Sequence, residues 1–408
     1  MMRPFCVVSP GVGFPAPLLG LLAIILLCAT DAVGAASTRD LGSVLADHKD
    51  LSTYYNLVKE YPDILLQLPS YSGVTIIAPN NDAFEKLQDW DPKNKTLVTS
   101  ILEYHILQGT VATNALPEGP STFASTLLTN PAYTNVTGGQ NVIINKQPGD
   151  VVVLTSGGGS RSTLLDADIA FSGGLIQVVD TLLVPPPRLE PTFRDVYPQD
   201  LTAFLGALYA AGLVPLFADS ANVTVFAPRN AAFQLVSGAL STLDRDALAR
   251  VLRYHLVPGR ILPSSALFAP DGPNSTDTAA TNTTTGNATN GAASLRISRA
   301  GNSVFVDGAR IVQPDVLLAN GVAHIVDAVL NPDDVGPPPD PAEPSQAPAF
   351  ALTGATSTGA RAPTPFTSAL PCTTAAREVA AALIGGDGNS DGDGGSGDDD
   401  GGSGNDND

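Results

Sequence analysis

The side chains that could carry acid–base, nucleophilic or metal chemistry are few in this 408-residue chain. Its four histidines stand far apart, at positions 48, 105, 255 and 324, and none has a partner at the i, i+4 spacing of a zinc-binding helix. The sequence contains no nucleophile elbow and no HExxH motif. A base such as His105 would need a nucleophile placed beside it, and the sequence offers none. We therefore expect no catalytic residue, no metal site and no cofactor, as in a binding protein rather than an enzyme.

The acidic carboxyl terminus holds two patterns that resemble ligand-binding motifs. Residues 387–398 have the residue order of an EF-hand calcium loop, with Asp398 in place of the bidentate Glu. Gly392, Gly394 and Gly397 have the spacing of a dinucleotide-binding loop, but no strand precedes them and neighbouring Asp residues would repel a pyrophosphate. The flanking sequence is too rich in Gly to form the helix that follows an EF-hand loop. We interpret both patterns as coincidences of low complexity, with weak, non-specific Ca²⁺ association as the alternative.

Three sequence landmarks occur twice, in the same order and at nearly the same separation. The first is an apolar strand that ends in Ala-Pro and is followed by Asn-x-Ala-Phe, the second is a Tyr-His pair, and the third is an apolar segment that begins with Gly and ends in Asp. A separation near 150 residues is far above that of solenoid repeats, so the chain contains two copies of one domain. The matched segments are 75–84 with 224–233, 104–105 with 254–255, and 174–180 with 321–327.

Each copy begins with apolar residues at helical spacing, and a short apolar strand follows. Pro79 and Pro228 end these strands, because proline lacks an N–H and disfavours helix in the residue before it. Asn80 and Asn230 are then in position to cap the next helix. The predicted helices and strands of these parts are helices 41–61 and 201–212, strands 74–78 and 223–227, and longer helices 96–105 and 244–255.

The second part of each copy is rich in short apolar strands. Helices first and strands later predict an α+β fold rather than a regular βαβ alternation. The predicted strands are 142–145, 151–155, 164–170 and 175–184 in the first copy, and 295–298, 303–306 and 322–330 in the second.

These landmarks resemble the fasciclin (FAS1) domain, and the resemblance covers roughly residues 38–332. It implies two tandem domains, each with amino-terminal helices packed on a β-sheet wedge, and a role in adhesion rather than catalysis. The second copy matches the closing Asn-Gly-Val-x-His segment at residues 320–324. The first copy departs from it, with Gly173 in place of the Asn and Gln177 in place of the His.

The Tyr-His pairs are the candidate adhesion site, because the resemblance implicates this segment in receptor binding. The candidates are Tyr104, His105, Tyr254 and His255. The alternative is structural: the ring of Tyr packs in the core while the imidazole hydrogen-bonds a neighbouring loop. Consecutive residues of a helix point about 100° apart, so at most one of each pair faces a given partner squarely.

The amino terminus is typical of a secretory signal peptide over residues 1–35. Arg3 precedes an apolar run over 18–27, and Val33-Gly34-Ala35 supplies small residues for cleavage. The alternative, a retained anchor, is disfavoured because the apolar run is about half of the roughly 20 residues that span a bilayer. Cleavage would leave Cys372 as the mature chain's single cysteine, either free or cross-linked to a partner.

The predicted domain limits are 38–186 and 188–332, and Pro185-Pro186-Pro187 forms a short stiff joint between them. Residues 270–293 form a predicted disordered insertion, because this Asn- and Thr-rich run has almost no large apolar side chain. Residues 333–408 are predicted to be a disordered Pro- and Thr-rich stalk with an acidic Gly and Asp tail. The six predicted N-glycosylation sites are Asn94, Asn135, Asn222, Asn274, Asn282 and Asn287.

The net charge of −19 excludes nucleic acid as a partner, since phosphate binding depends on Lys and Arg. We expect a secreted or cell-surface glycoprotein, in the extracellular matrix or cell wall, that binds proteins or glycans there, with a vacuolar location as the alternative. No transmembrane segment is expected in the mature chain. Two other functions stay open: a small-ligand or lipid carrier, which would need a large apolar pocket, and more remotely a secreted hydrolase.

Overall fold

The computed structural model describes residues 39–68, 73–86, 93–281, 292–343, 346–350, 352 and 363–371. The predicted signal peptide, Asn282, Asn287, Cys372 and the acidic tail lie outside these residues.

The first repeat, called domain 1, contains five helices and seven strands among these residues. The helices are α1 (Leu41–Asp47), α2 (Ser52–Glu60), α3 (Pro62–Gln67), α4 (Asn81–Glu85) and α5 (Lys95–Tyr104). The strands are β1 (Val74–Pro79), β2 (Ile106–Gln108), β3 (Ser121–Ser125), β4 (Asn141–Gln147), β5 (Val151–Thr155), β6 (Arg161–Phe171) and β7 (Gly174–Val179).

The second repeat, called domain 2, has a similar succession of elements in the described part of the chain, with one more helix, α11, between β9 and β10. Its helices are α6 (Leu189–Pro191, continued by a π-helical turn over Thr192–Val196), α7 (Pro198–Ala211), α8 (Val214–Asp219), α9 (Asn230–Ser241), α10 (Arg245–Arg253) and α11 (Ser264–Phe268). Its strands are β8 (Val223–Pro228), β9 (Leu256–Val257), β10 (Ser275–Thr281), β11 (Ala292–Ala300), β12 (Ser303–Val306), β13 (Ala309–Leu318) and β14 (Gly321–Val326).

Each domain has one seven-stranded sheet, in the order β2-β1-β7-β6-β5-β4-β3 or β10-β11-β12-β13-β14-β8-β9. Only the pairs β1–β7 and β8–β14 are parallel; the other described pairs are antiparallel. The registers of the parallel pairs correspond, with Ile77 opposite Gln177 and Phe226 opposite His324. The α+β fold with two tandem copies of one domain is therefore confirmed.

The helices of each domain cover one face of the parallel strands and bury a first apolar cluster there. In domain 2 the rings of Phe204, Phe217 and Phe233 lie in this cluster, with Phe204 5.8 Å from Phe217 and 6.2 Å from Phe233. The antiparallel part of the sheet encloses a second cluster, which holds Tyr104 in domain 1 and Tyr254 in domain 2. The Tyr-His segment therefore lies where the two clusters of a domain meet.

The prediction of disorder over residues 270–293 is wrong for residues 275–281. These residues form β10, which pairs antiparallel with β11 so that Ser275 lies opposite Arg296. Thr276, Thr278 and Ala280 are buried. Threonine favours strands. Small buried side chains are enough to order this segment because β11 supplies the hydrogen-bond partners for its backbone.

The prediction that residues 333–408 are a disordered stalk is wrong for two described segments. Phe350 in the first segment, and Phe366 and Leu370 in the second, pack against the helical cluster of domain 2. The Phe366 ring lies 6.1 Å from that of Phe233 in an edge-on arrangement. Three apolar side chains spread over 21 positions were too sparse to predict this docking, which depends on a preformed helical surface.

The helix caps differ between the repeats. Asn80 caps α4 as predicted, since its side chain accepts a hydrogen bond from the N–H of Ala83 at 2.9 Å. The prediction for Asn230 is wrong, because Arg229 occupies the cap position of α9. Asn230 instead accepts from the N–H of Ala203 at 2.8 Å and joins α9 to α7. Its counterpart Asn81 bonds the N–H of Thr53 at 3.0 Å and joins α4 to α2.

Candidate functional site

The two Tyr-His pairs lie at the carboxyl ends of α5 and α10, and their imidazoles make the same two hydrogen bonds. Nδ1 of His105 is 2.7 Å from the carbonyl oxygen of Ile101, and its Nε2 accepts the N–H of Leu183 at 2.9 Å. Nδ1 of His255 is 2.9 Å from the carbonyl oxygen of Val251, and its Nε2 accepts the N–H of Leu330 at 3.0 Å. Because Nε2 accepts, the proton of each neutral ring is on Nδ1. Each histidine thus joins a helix end to the segment that leaves the domain.

The tyrosines anchor the opposite side of each pair to the antiparallel strands. The hydroxyl of Tyr104 donates to the carbonyl oxygen of Asn141 at 2.8 Å. The hydroxyl of Tyr254 lies 2.9 Å from Oδ2 of Asp307 and 3.1 Å from the carbonyl oxygen of Ser294. Burial raises the pKa of both phenols, so they stay protonated. Each Tyr-His pair therefore connects the helical layer to the antiparallel strands.

All four side chains of the candidate adhesion site are buried, with relative exposures of at most 2%. Burial lowers the pKa of His105 and of His255 to about 4, so both are neutral at pH 7. A partner cannot reach these rings while the domains are folded as described. The geometry matches the structural interpretation of the pairs, and any effect on adhesion would act through the surface that they support.

A second polar cluster has the same arrangement in both domains, and sequence reasoning did not predict it. In domain 1 the carboxylate of Asp168 accepts the N–H and hydroxyl of Thr113. In domain 2 the carboxylate of Asp315 accepts the N–H and hydroxyl of Ser264. Both aspartates have positive φ, 56° and 61°. They stand 147 residues apart, which equals the offset of the third landmark, so aligning the repeats could have revealed the cluster.

Gln177 and His324 occupy one position in this cluster and make equivalent contacts. Oε1 of Gln177 accepts the N–H of Asp168 at 2.9 Å, and its Nε2 donates to the carbonyl oxygen of Val111 at 3.0 Å. Nδ1 of His324 accepts the N–H of Asp315 at 3.2 Å, while its Nε2 is 2.8 Å from the carbonyl oxygen of Leu262. The substitution in the first copy therefore preserves the contact. Burial lowers the pKa of His324 despite the nearby carboxylate of Asp315.

The four described glycosylation candidates have different surroundings. The side chain of Asn94 caps α5 by accepting from the N–H of Leu97 at 3.1 Å. Asn274 is exposed and accepts from Nη1 of Arg299 at 3.1 Å. Asn135 and Asn222 both lie where domain 1 contacts domain 2. Whether any of them carries a glycan stays a prediction.

Four hollows bear on ligand binding. The first, in the apolar cluster of domain 1, has a volume of only about 10 Å³, close to that of one water. A cleft of about 340 Å³ lies at the domain junction, between Tyr133 and Tyr209. A groove of about 390 Å³ lies between β4 and β5 of domain 1 and residues 313–317 of β13 in domain 2. A neighbouring hollow of about 280 Å³ shares Asn145, Thr155 and Arg161 with it.

No group of three or more His, Cys, Asp or Glu side chains in the described ranges is arranged to hold a metal ion. In the same part of the chain, each helix is too short or too polar to cross a bilayer.

Comparisons with known proteins agree with this architecture. The chain is similar to a fasciclin-like arabinogalactan protein of Arthroderma benhamiae, with 28% identity over 90% of this chain and 82% of that protein. It is similar to another of the same description from Phaeosphaeria nodorum, with 28% identity over 73% of this chain and 90% of that protein. Human periostin is 25% identical over 67% of this chain and 30% of its own length.

A FAS1 domain pair from the insect cell adhesion molecule Fasciclin I also matches in structure, with a TM-score of 0.32 and 17% identity over 69% of this chain and 97% of that one. The fasciclin domain matches residues 49–185 and 199–332, which together are most of the described chain. The chain therefore belongs to the fasciclin domain family and carries the domain twice in tandem.

Proposed function

We propose that this chain is a secreted or cell-surface glycoprotein that attaches to cell-wall or matrix glycans or proteins through its two fasciclin domains, without catalysis. The observation that carries the proposal is the tandem arrangement itself. This chain matches most of the length of two proteins described as fasciclin-like arabinogalactan proteins. The buried Tyr-His pairs support it, because they give each domain a rigid frame on which exposed residues can bind a partner.

The histidine contacts support a non-catalytic role. Both ring nitrogens of His105 and of His255 are occupied by backbone groups, and neither ring is reachable by a substrate. A general base needs a free nitrogen within hydrogen-bond reach of the proton that it removes. The secreted hydrolase is therefore the least favoured function.

The carrier function has one feature in its favour, the cleft between Tyr133 and Tyr209. Its volume is at the lower end of the range for ligand pockets. Arg188, Glu190 and Arg194 also line it, and such charged groups are unsuited to a lipid chain. The hollow inside domain 1 has no room for a ligand larger than water. Stoichiometric binding of a fluorescent fatty acid to the wild type, and loss of that binding in Tyr209→Ala, would favour the carrier function.

We expect a wall or matrix glycan to bind in the groove between β4 and β5 of domain 1 and β13 of domain 2. Amide, hydroxyl and guanidinium groups line it, from Asn145, Thr155 and the exposed Arg161. Such groups donate hydrogen bonds to the hydroxyl oxygens of a sugar. The groove thus offers the polar contacts that the buried Tyr-His pairs do not.

The proposal is tested by attachment of the purified protein to cell-wall material or matrix glycans from its own source. We expect saturable binding that Arg161→Ala weakens about tenfold, with an unchanged melting temperature. The matched control is Arg253→Ala, which removes an exposed arginine from α10 in the other domain. Secretion is tested separately, by expression with the chain's own first 35 residues. Retention inside the cell, or no saturable binding by the wild type, would contradict the proposed function.

A further inference from the structure

The two domains are joined by more than the proline segment, because a loop of domain 1 contacts the β13–β14 turn of domain 2. The N–H of Asn135 donates to the carbonyl oxygen of Ala319 at 2.8 Å. Nε2 of Gln140, a fully buried side chain, lies 3.2 Å from the carbonyl oxygens of Leu318 and Ala319. A buried amide without partners is costly. Nε2 of Gln140 also donates to Oγ1 of Thr134 at 3.1 Å within domain 1, so domain 2 supplies two of its three acceptors.

At the edge of this junction, one side-chain amide bridges the domains. Oδ1 of Asn222 accepts the N–H of Thr137 at 2.8 Å, and Nδ2 of Asn222 donates to Oγ1 of Thr137 at 2.7 Å. Both bonds go to neighbouring atoms of one residue. The donated hydrogen must therefore be the one on the same side of the amide as Oδ1.

That hydrogen is the one that N-glycosylation replaces. Nδ2 attacks the anomeric carbon of a diphosphate-activated oligosaccharide; the N–C bond forms, the C–O bond to the diphosphate breaks, and one Nδ2 hydrogen leaves as a proton. The product is a secondary amide, which prefers the trans form by about 2.5 kcal/mol. In that form the sugar carbon lies on the Oδ1 side of the amide, where Oγ1 of Thr137 is only 2.7 Å from Nδ2.

We propose that Asn222 is an interdomain latch, and that a glycan on Asn222 and the closed junction exclude each other. The inference rests on the proposed passage through a glycosylating compartment. Asn222 is the sequon asparagine that faces Thr137, and Thr137 is itself the hydroxyl residue of the sequon at Asn135. Asn135 differs: its side chain is exposed, and its Nδ2 uses one hydrogen to reach the carbonyl oxygen of Asp219 at 2.8 Å.

Amide hydrogen exchange at Asn135 tests the latch, because this N–H reaches Ala319 in the other domain without touching Asn222. The N–H of Ile77, bonded to the carbonyl oxygen of His105 at 2.8 Å inside domain 1, is the internal reference. In unglycosylated protein from a bacterial host, we expect Asn222→Ala to speed exchange at Asn135 about tenfold and to leave Ile77 unchanged. Thr137→Val should do the same, while Thr137→Ser should not.

The glycan itself is tested in protein secreted behind a foreign leader, so that the result is independent of the chain's own amino terminus. We expect the fraction with a glycan on Asn222, measured by glycopeptide mass spectrometry, to equal the fraction with fast exchange at Asn135. If the host leaves Asn222 unmodified, the same glycopeptide measurement is made in Thr137→Val, which opens the junction and keeps the sequon at Asn222. A glycan on Asn222 in this variant supports the exclusion, and no glycan in either protein contradicts it.

Two results of the exchange measurements would also overturn the latch. One is slow exchange at Asn135 in molecules that carry a sugar at position 222. The other is unchanged exchange at Asn135 in Asn222→Ala. Either result would leave the proposed function standing, because secretion with the native leader and binding to glycans are measured independently.

Discussion

Domain 1 and domain 2 place different side chains at one position of the same strand, yet both bond the N–H of the aspartate and a backbone carbonyl oxygen. Gln177 also donates to the carboxylate of Asp168 at 2.7 Å, whereas Nδ1 of His324 is 3.9 Å from that of Asp315. Gln177 stands opposite Ile77, whereas His324 stands opposite Phe226 and stacks on its ring at 5.6 Å. An amide and a neutral imidazole each offer one acceptor and one donor at this position. The comparison shows that the fold requires a polar bridge to the positive-φ aspartate, not an acid–base group.

A second difference between the domains lies on the helical face. Phe233 in domain 2 is fully buried, while its counterpart Phe84 in domain 1 is only partly buried. The carboxyl-terminal segment explains the difference, since Phe366 packs edge-on against Phe233. Gly206 makes room for this segment: a Cβ there would lie 2.2 Å from the carbonyl oxygen of Phe366.

The largest expected effect concerns these two phenylalanines. Phe233→Ala should lower the free energy of unfolding of domain 2 by about 3–5 kcal/mol, because it leaves a cavity in a closed core. Phe84→Ala should cost domain 1 clearly less, since its ring is already partly in water. Hydrogen exchange at the Phe226 amide measures the stability of domain 2, and exchange at the Ile77 amide measures that of domain 1. Equal losses of unfolding free energy in the two variants would contradict the difference in burial between Phe233 and Phe84.

The Tyr-His pairs should respond alike in the two domains. His105→Ala and His255→Ala each leave the N–H of Leu183 or Leu330 without its partner, at about 1–3 kcal/mol. Chemical denaturation measures this loss. His48→Ala, at a partly exposed position, is the control and should change stability by less than about 0.5 kcal/mol. Lost adhesion with unchanged stability in the first two variants would show that the pairs contact the partner.

Acid should weaken both domains, because burial lowers the pKa of His105 and His255 to about 4. The unfolded chain binds a proton near pH 6.5, so between pH 6.5 and 4 it binds more protons than the folded chain. The free energy of unfolding then falls as the pH falls through this window, by up to about 3 kcal/mol per histidine. In domain 2, burial raises the pKa of Asp307 and Asp327, which acts in the opposite direction.

His324→Gln converts the cluster of domain 2 to the version found in domain 1. It keeps both hydrogen bonds and removes a group whose pKa burial lowers, despite the facing carboxylate of Asp315. We expect a shallower acid dependence of domain 2, measured as unfolding free energy between pH 7 and 4.5. At pH 7 the lost stacking on Phe226 should cost about 1 kcal/mol. An unchanged slope would contradict the assignment of a neutral His324.

A further prediction concerns the docked carboxyl-terminal segment. Phe366→Ala should lower the stability of domain 2 by about 1–2 kcal/mol, as expected for a partly buried ring. Gly206→Ala should act in the same direction. Deleting residues 385–408 is the matched control, and thermal unfolding should then be unchanged with or without Ca²⁺. A Phe366→Ala protein with wild-type stability would show that the segment does not support the core.

Repetition and periodicity predicted the α+β fold, but not the docked segment or the strands β2, β3, β9, β10 and β13. Register shifts around Gln313 interrupt the alternation of β13, so it lacks a regular strand pattern. Phe366 adopts a left-handed turn with φ of 61° that only its contact with domain 2 explains. The Tyr-His pairs were found from sequence, but helical geometry could not show that both residues of each pair are buried. The repeat offset could have singled out Asp315, but its contact with Ser264, 51 positions earlier in the chain, could be seen only in the structure.

The most direct test is the titration of the imidazoles of His105 and His255 by NMR in the intact protein. The account predicts neutral rings with the proton on Nδ1 and no change in their nitrogen shifts between pH 7 and 5.5, since their pKa values are about 4. Ordinary titration near pH 6.5 in the folded protein would show that the rings are exposed to solvent. That result would contradict the central claim that the Tyr-His pairs support the domains from within.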